Sequence, residues 1–124
     1  MTVLTFWVEG VPVPKGRPRT VVKAGRTMTY TPAATREWEA LVRLQAQAAC
    51  SAGGWKPLPG KYTLDLQVYR KARRGDWDNF GKAISDALNG LVFPDDASVV
   101  DGRVRVFDGQ GTGAMVRVTR EPCA

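Results

Sequence analysis

Residues 62–88 read YTLDLQVYRKARRGDWDNFGKAISDAL and place a strand, a basic break and a helix next to one another. Leu64, Leu66 and Val68 alternate with polar residues, which is the period of a strand with one buried face. Four positive charges within residues 70–74 then break this pattern. Beyond them the apolar residues recur in steps of three and four, which predicts a helix over about residues 78–89. Its apolar stripe consists of Phe80, Ala83, Ile84, Ala87, Leu88 and Leu91.

The rest of the chain predicts one further helix and several strands. Thr31 suits the N-cap position and Pro32 the first helical position, so a helix is expected over about residues 32–50. Ala24-Gly25-Arg26 predicts the turn of a hairpin, and runs of β-forming residues predict strands at 3–8, 99–107 and 115–119. We therefore expect a single small α+β (mixed α/β) domain over residues 1–124, with two main helices and a mixed sheet of about four to six strands.

The composition is that of a globular protein with a basic surface. The chain has 124 residues, of which 44% are hydrophobic and 24% charged, so one domain with its own core is expected. Its net charge of +6 favours a polyanionic partner such as nucleic acid. The absence of histidine excludes the Ser-His-Asp triad, a histidine general base and every imidazole metal site. If the chain is an enzyme, carboxylates, lysine, hydroxyl groups or a hard metal ion must carry the chemistry.

The cysteines and the hydropathy pattern indicate a cytoplasmic protein. Cys50 and Cys123 cannot build a structural zinc site alone, and their spacing matches no disulfide framework, so two reduced thiols are expected. No apolar run approaches the ~18 residues of a membrane span. The start of the chain lacks the basic segment and the cleavage site of a signal peptide, so no membrane partner is expected.

Acidic residues concentrate around the strand-to-helix junction. Seven of the 12 acids lie within residues 65–101, and Asp76 and Asp78 are two residues apart at the start of the predicted helix. Lys82 follows one turn later on the same polar face. Two carboxylates ~6 Å apart repel by roughly 2–3 kcal/mol at an effective dielectric of ~20. Bound Mg²⁺ or Mn²⁺ would remove that cost, which makes the junction a candidate metal site.

A purely structural interpretation of the same residues stays open. In it, Asp78 caps the helix, Asp76 and Asp95-Asp96 lie in turns, and Lys82 with Asp86 forms an ordinary surface pair.

Two basic segments accompany the acids. Lys15-Gly-Arg-Pro-Arg19 and the segment 70–74 are arginine-rich, and the arginine fork matches phosphate oxygens. The alternative to phosphate binding is that both segments are simply solvated charge. The second segment, however, lies close before Asp76, and a phosphodiester substrate needs positive charge beside a carboxylate-metal site. Trp55 and Trp77 could stack on bases, although packing in the core or at an interface is favoured for both.

The junction resembles the RusA family of Holliday-junction resolvases. The resemblance rests on Asp76-Trp-Asp78-Asn79-Phe-Gly-Lys82, then Asp86-Ala-Leu88, then Pro94-Asp95-Asp96-Ala-Ser-Val-Val-Asp101, in the family's order. It implies a small homodimeric endonuclease of bacteria or their phages that cuts four-way DNA junctions by paired phosphodiester hydrolysis with Mg²⁺ or Mn²⁺, in recombination and repair. The alternatives are a non-catalytic structure-selective DNA-binding protein, a metal-dependent nuclease for other branched or single-stranded DNA, and a small-molecule phosphohydrolase.

Individual roles follow from the same resemblance. Asp76, Asp78 and Asp96 would bind the metal, with Asp95 as the alternative to Asp96 because the preceding segment is one residue shorter than in the best-known member. Lys82 would be the catalytic lysine. The residues expected to seat the DNA backbone are Lys15, Arg17, Arg19, Arg73 and Arg74.

Overall fold

The computed structural model describes residues 2–16, 19–109 and 111–122. Within those ranges the chain forms six strands, two α-helices and one short 3₁₀ turn. In chain order these are β1 (Thr2–Glu9), β2 (Arg19–Lys23), β3 (Arg26–Tyr30), α1 (Ala33–Gly53), β4 (Gly60–Arg70), α2 (Trp77–Leu88), the 3₁₀ turn (Asp96–Ser98), β5 (Val99–Asp108) and β6 (Gly113–Pro122).

Four strands form the main sheet in the order β1-β6-β4-β5. β4 runs parallel to β5 and antiparallel to β6, and β6 in turn runs antiparallel to β1. β2 and β3 pair only with each other, as a separate antiparallel hairpin. The predictions of one small α+β domain, a mixed sheet and two main helices are confirmed.

The core lies between one face of the main sheet and the two helices. Along β4 the buried residues alternate with partly exposed ones, as the sequence period predicts. α1 packs against β1 and α2, and α2 packs against β5. The buried apolar side chains of the helices are Trp38, Val42, Ala46 and Cys50 on α1 and Phe80, Ala83, Ile84, Ala87 and Leu88 on α2. Because α2 buries a continuous stripe, its direction relative to the sheet is set by packing.

The beginnings of both helices differ from the prediction. Pro32, not Thr31, holds the N-cap position of α1, with an extended ψ of 143° and no side-chain cap hydrogen bond. Thr31 as N-cap is therefore wrong, because a cap must directly precede the first helical residue and Pro32 itself remains extended. α1 continues to Gly53 and ends at Gly54, whose φ of 64° is the left-handed conformation that glycine favours. α2 begins one residue early, at Trp77.

Cys50 is buried on α1, and burial raises the pKa of its thiol. Cys123 lies outside the described residues, so the expectation of two reduced thiols stays a prediction. In the described part of the chain, neither helix is long and apolar enough to cross a membrane.

Gly81 allows α2 to lie close to β5. A Cβ at this position would meet Val104 Cγ2 at 2.8 Å. Gly81→Ala adds up to ~1 kcal/mol of helix propensity, but overpacking costs about 1–3 kcal/mol. We therefore expect a net loss of about 1 kcal/mol in the free energy of unfolding, measured by urea titration.

Gly53→Ala is the matched control, because nothing lies within 4 Å of a Cβ built at Gly53. This control should leave stability unchanged or raise it. The double variant Gly81→Ala/Val104→Ala should lose less stability than the sum of its two single changes. A Gly81→Ala protein as stable as the wild type would contradict the close packing of α2 on β5.

Candidate active site

Asp76 and Asp78 lie at the N-terminus of α2, immediately after the loop that follows β4. Asp76 holds the N-cap position with extended backbone, and its side chain makes no cap hydrogen bond. Asp78 lies in the first turn, where its Oδ1 accepts the Asn79 N–H at 3.0 Å. Both side chains are exposed, and neither forms an ion pair with another described residue. The partial positive charge of the helix N-terminus stabilises two carboxylates here.

The positions of the acids can be compared with the purely structural interpretation, in which they only cap the helix, lie in turns or form a surface pair. The alternative in which Asp78 caps the helix is wrong, because Asp76 occupies the N-cap position. Asp95 does serve in a turn: its Oδ2 accepts the Ala97 N–H at 3.4 Å at the start of the 3₁₀ turn. The surface pair is also present, with Lys82 Nζ 3.3 Å from Asp86 Oδ1.

Arg70, the last residue of β4, anchors the loop before Asp76. Its guanidinium pairs through two nitrogens with the Asp108 carboxylate at the end of β5. The Nη1 of Arg70 also donates to Gly75 O at 2.7 Å and to Arg74 O at 3.4 Å. The hydrogen bond to Asp108 raises the pKa of Arg70 and lowers that of Asp108. Arg70 thus joins the ends of two parallel strands to the residue that precedes Asp76.

Gly75 completes this anchor, because no larger residue fits there. Its φ is 91°, and a Cβ would meet the Phe80 ring at 2.8 Å and Pro14 Cγ at 3.0 Å. The backbone therefore turns sharply into α2 directly above a buried phenyl ring.

A second charge cluster holds the N-terminal segment against α2. Lys15 Nζ lies 3.0 Å from Glu39 Oε1 and 3.1 Å from Asp86 Oδ2, and the Lys15 N–H donates to Asn79 O at 2.8 Å. Burial lowers the pKa of Lys15, but the hydrogen bonds and negative charge of Glu39 and Asp86 outweigh it, so the pKa is raised. Asp86 thereby contacts two lysines at once, Lys15 and Lys82.

The predicted DNA-contacting residues fall into three groups. The Lys15 ammonium faces two carboxylates of its own chain, and its contact with DNA stays a prediction. Arg73 and Arg74 are exposed on the anchored loop beside Asp76. Arg17 and the side chain of Arg19 lie outside the described part of the structure.

An apolar groove runs between α2 and β5 beside the carboxylates. Leu64, Leu66, Val99 and Val104 line its floor, and Trp77, Asp78, Lys82, Ser85 and Arg103 line its rim. Trp77 is 64% exposed, so packing in the core of this chain, one of the two expectations for it, is wrong. Trp55 does pack, edge-on against Tyr62, and its Nε1 donates to Val92 O at 2.9 Å.

Asp95 and Asp96 lie at the other end of the sheet. β4 and β5 are parallel, Asp76 follows the C-terminal end of β4, and the 3₁₀ turn precedes the N-terminal end of β5. β4 has 11 residues, and at about 3.3 Å per residue its ends are some 30 Å apart. One chain therefore does not bring the two acidic pairs together. In residues 2–16, 19–109 and 111–122, no three Asp, Glu or Cys side chains are grouped closely enough to hold a metal ion.

Comparison with known proteins identifies the family to which this architecture belongs. The model of a family described as endodeoxyribonuclease RusA matches residues 9–119, which is most of the chain. The chain belongs to the RusA family. It is also 31% identical over 126 aligned positions to the uncharacterized protein YqaN of Bacillus subtilis (strain 168), covering 86% of this chain and 89% of that protein. RusA proteins are nucleases that act on branched DNA, as Holliday-junction resolvases.

Three residues of this RusA-family site were given no role by the sequence analysis: Arg70, Ser85 and Arg103. Arg70 belongs to the basic run 70–74, and nothing in the run distinguishes a residue paired with Asp108 from one that faces solvent. Ser85 lies three residues after Lys82, so helical spacing alone could have indicated it. Arg103 gives no local signal, because it reaches the groove only through the pairing of β5 with β4.

Arg70→Lys keeps the positive charge but removes the fork that bridges Asp108 and the loop. We expect the loop over residues 71–75 to open more often, so that limited trypsin digestion cleaves after Arg73 and Arg74 severalfold faster. Mass spectrometry of the early fragments measures this directly.

Arg105→Lys on exposed β5 is the matched control and should leave the cleavage pattern unchanged. If both variants are digested at the wild-type rate, Arg70 does not restrain the loop. The readout needs neither metal nor DNA, so it tests the anchor independently of any activity.

Proposed function

We propose that this chain is a divalent-metal-dependent endonuclease that resolves four-way DNA junctions by paired phosphodiester hydrolysis, in recombination and repair in the bacterial cytoplasm. One observation carries the proposal: a RusA-family chain presents two exposed carboxylates at the start of α2, Asp76 and Asp78, beside the exposed Arg73 and Arg74. Among the described residues, neither carboxylate forms an ion pair. Arginine forks bind the phosphate backbone, and the carboxylates provide the reactive centre next to it.

The donor set suits Mg²⁺ or Mn²⁺. Both ions prefer carboxylate oxygens, and Asp76 and Asp78 have no competing ion pair among the described residues. When bound, such an ion supplies charge stabilisation to the phosphate and activates water for attack. With no histidine in the chain, the carboxylates are the ligands that the composition offers.

The two acidic pairs lie at opposite ends of the strand pair, so a second copy of the chain is needed to complete the ligand set. We propose a homodimer in which Asp76 and Asp78 of one chain meet Asp96 of the second copy. A two-fold axis would then create two equal sites, as two symmetric nicks require. Asp96 is favoured over Asp95 because the resemblance to the family aligns it with the second aspartate of the family's Asp-Asp pattern.

We assign Lys82 the role of stabilising charge on the phosphate. Its side chain is 61% exposed on the rim of the groove, one helical turn after Asp78, and its ammonium lies 3.3 Å from Asp86 Oδ1 in the next turn. A positioned ammonium stabilises negative charge that develops on a phosphate oxygen during attack. Asp86 therefore orients Lys82 without contacting the substrate.

A gel assay on a synthetic four-way junction tests the activity, with Mg²⁺, Mn²⁺ or EDTA, beside linear duplex and single strand. We expect symmetric nicks only on the junction and only with metal. Asp76→Asn should reduce nicking at least 100-fold, in line with the loss of a group that stabilises the transition state, while junction binding persists. Glu37→Gln, exposed on α1, is the control and should cut normally.

Other results of this assay would favour the alternatives. Tight junction binding by the wild type without any nick would favour a binding protein and contradict the proposal. Equal cutting of every substrate would leave a nuclease but remove junction selectivity.

Mixed dimers test whether the two copies share each site. Asp76→Asn and Asp96→Asn chains, each inactive alone, are co-expressed with different tags and purified as a mixture. A shared site leaves one intact site in each mixed dimer, so nicking should return at about a quarter of the wild-type level per chain, since random pairing makes about half the dimers mixed.

If each chain holds its own complete ligand set, the mixed dimers carry two damaged sites and stay inactive. Asp95→Asn in place of Asp96→Asn decides between the two neighbouring carboxylates. A sedimentation profile showing only monomer at micromolar concentration would contradict the dimer.

A further inference from the structure

The β2–β3 hairpin, residues 19–30, stands apart from the rest of the molecule and is called the ribbon below. Its strands pair only with each other, and every described side chain from Thr20 to Tyr30 is exposed. Neither strand pairs with the main sheet, and in the described part of the chain the extensive contacts of each strand are with the other strand. A two-stranded hairpin alone is marginally stable in water, so a ribbon this exposed favours a bound partner that stabilises it.

The ribbon is narrow and twisted because of its turn. Ala24 and Gly25 have φ values of 53° and 74°, and two consecutive positive φ angles define the tightest hairpin turn. Ala24 is the only non-glycine residue with positive φ in the described part of the chain. The chain thus accepts local strain to keep a two-residue turn at the tip.

The charge of the ribbon identifies the partner chemistry. Lys23 lies directly opposite Arg26 in the strand register, and like charges at that position destabilise a hairpin. Between Glu9 and Glu37 the sequence has no acidic residue, so none on the ribbon or its flanks offsets this repulsion. An anion bound across the pair would remove it. A polyanion is therefore favoured over a second copy of the equally basic ribbon.

The two faces of the ribbon suit a nucleic-acid groove. Cross-strand partners share a face, so Lys23 and Arg26 lie with Val21 and Met28, whereas the hydroxyl groups of Thr20, Thr27 and Thr29 lie on the other face with Val22. The major groove of duplex DNA, about 12 Å wide, accepts a two-stranded ribbon. Phosphates along the groove would meet the charged tip, and base edges would meet the hydroxyl groups.

We propose that the ribbon enters the major groove of one duplex arm of the DNA, with Lys23 and Arg26 on its phosphates. Lys23 and Arg26, on which this proposal rests, belong to neither the candidate active site nor the DNA-contacting residues assigned from the sequence. The proposal rests on the proposed function only in taking DNA as the polymer. It concerns binding, so it is tested without cleavage.

The test compares two double variants that lose the same charge. Lys23→Gln/Arg26→Gln changes the ribbon, and Lys56→Gln/Lys61→Gln changes exposed lysines elsewhere. Affinity for a four-way junction is measured in EDTA at several salt concentrations. Each lost phosphate contact reduces the slope of log affinity against log salt concentration, here called the salt slope, by about 0.9. The salt slope of the ribbon variant should therefore fall by at least about 1.8, and the variant should bind roughly 10- to 100-fold more weakly near 0.1 M salt. The control variant should match the wild type.

Guanine N7 protection locates the ribbon in the groove, because N7 faces only the major groove. Dimethyl sulfate treatment should show protected guanines on a duplex arm with wild-type protein and none there with the ribbon variant. Thermal unfolding of the ribbon variant serves as the fold control. Its midpoint should be no lower than that of the wild type, because the substitutions remove a repulsive pair.

Each outcome decides the proposal. Equal salt slopes for both double variants would overturn it, even if the protein nicks junctions as proposed. A ribbon variant that becomes monomeric while its salt slope stays unchanged would assign the ribbon to a contact between subunits. A loss of slope and of N7 protection in a protein that never nicks would support the ribbon and contradict the endonuclease proposal.

Discussion

Burial of the apolar stripe of α2 against β5 and α1 is the constraint on which the site depends. The stripe includes Phe80, Ile84 and Leu88, all fully buried, and Gly81 lets the helix approach Val104. Because α2 must return along the sheet after β4, its N-terminus lies at the carboxyl end of the parallel pair. Packing of apolar side chains on α2 and the Arg70 anchor hold Asp76 and Asp78 there, and neither carboxylate forms an ion pair among the described residues.

Electrostatics within the fold divides the basic residues into two classes. Arg70 and Lys15 pair with carboxylates of their own chain. Arg70 thereby links the ends of β4 and β5, and Lys15 links the N-terminal segment to α1 and α2. Arg73, Arg74 and the basic residues of the ribbon have no such use in the described structure. A partner with regularly spaced negative charge is the simplest explanation for the second class, and it agrees with membership of a family that acts on branched DNA.

Local pattern was a good guide to the elements and a poor guide to the site. The alternation of β4 and the stripe of α2 predicted both elements within a few residues, because each buries one face and that face imposes a period. Two predictions were wrong: Thr31 as the N-cap of α1 and Trp77 in the core of this chain. The reason is local for Thr31 and tertiary for Trp77. Pro32 stays extended, so no cap can lie before it, whereas the exposure of Trp77 depends on which side of α2 faces the sheet.

The sequence alone determined the class of fold, the family and the candidate site residues, since these follow from periodicity and from motif spacing over a few turns of chain. Only the tertiary structure decided where those residues stand. The parallel register of β4 and β5 places Asp76 and Asp96 at opposite ends of the strand pair, and pairing at the strand ends engages Arg70 with Asp108 and with the loop. Neither result is encoded in short-range spacing, because both depend on which strands become neighbours and in which direction they run.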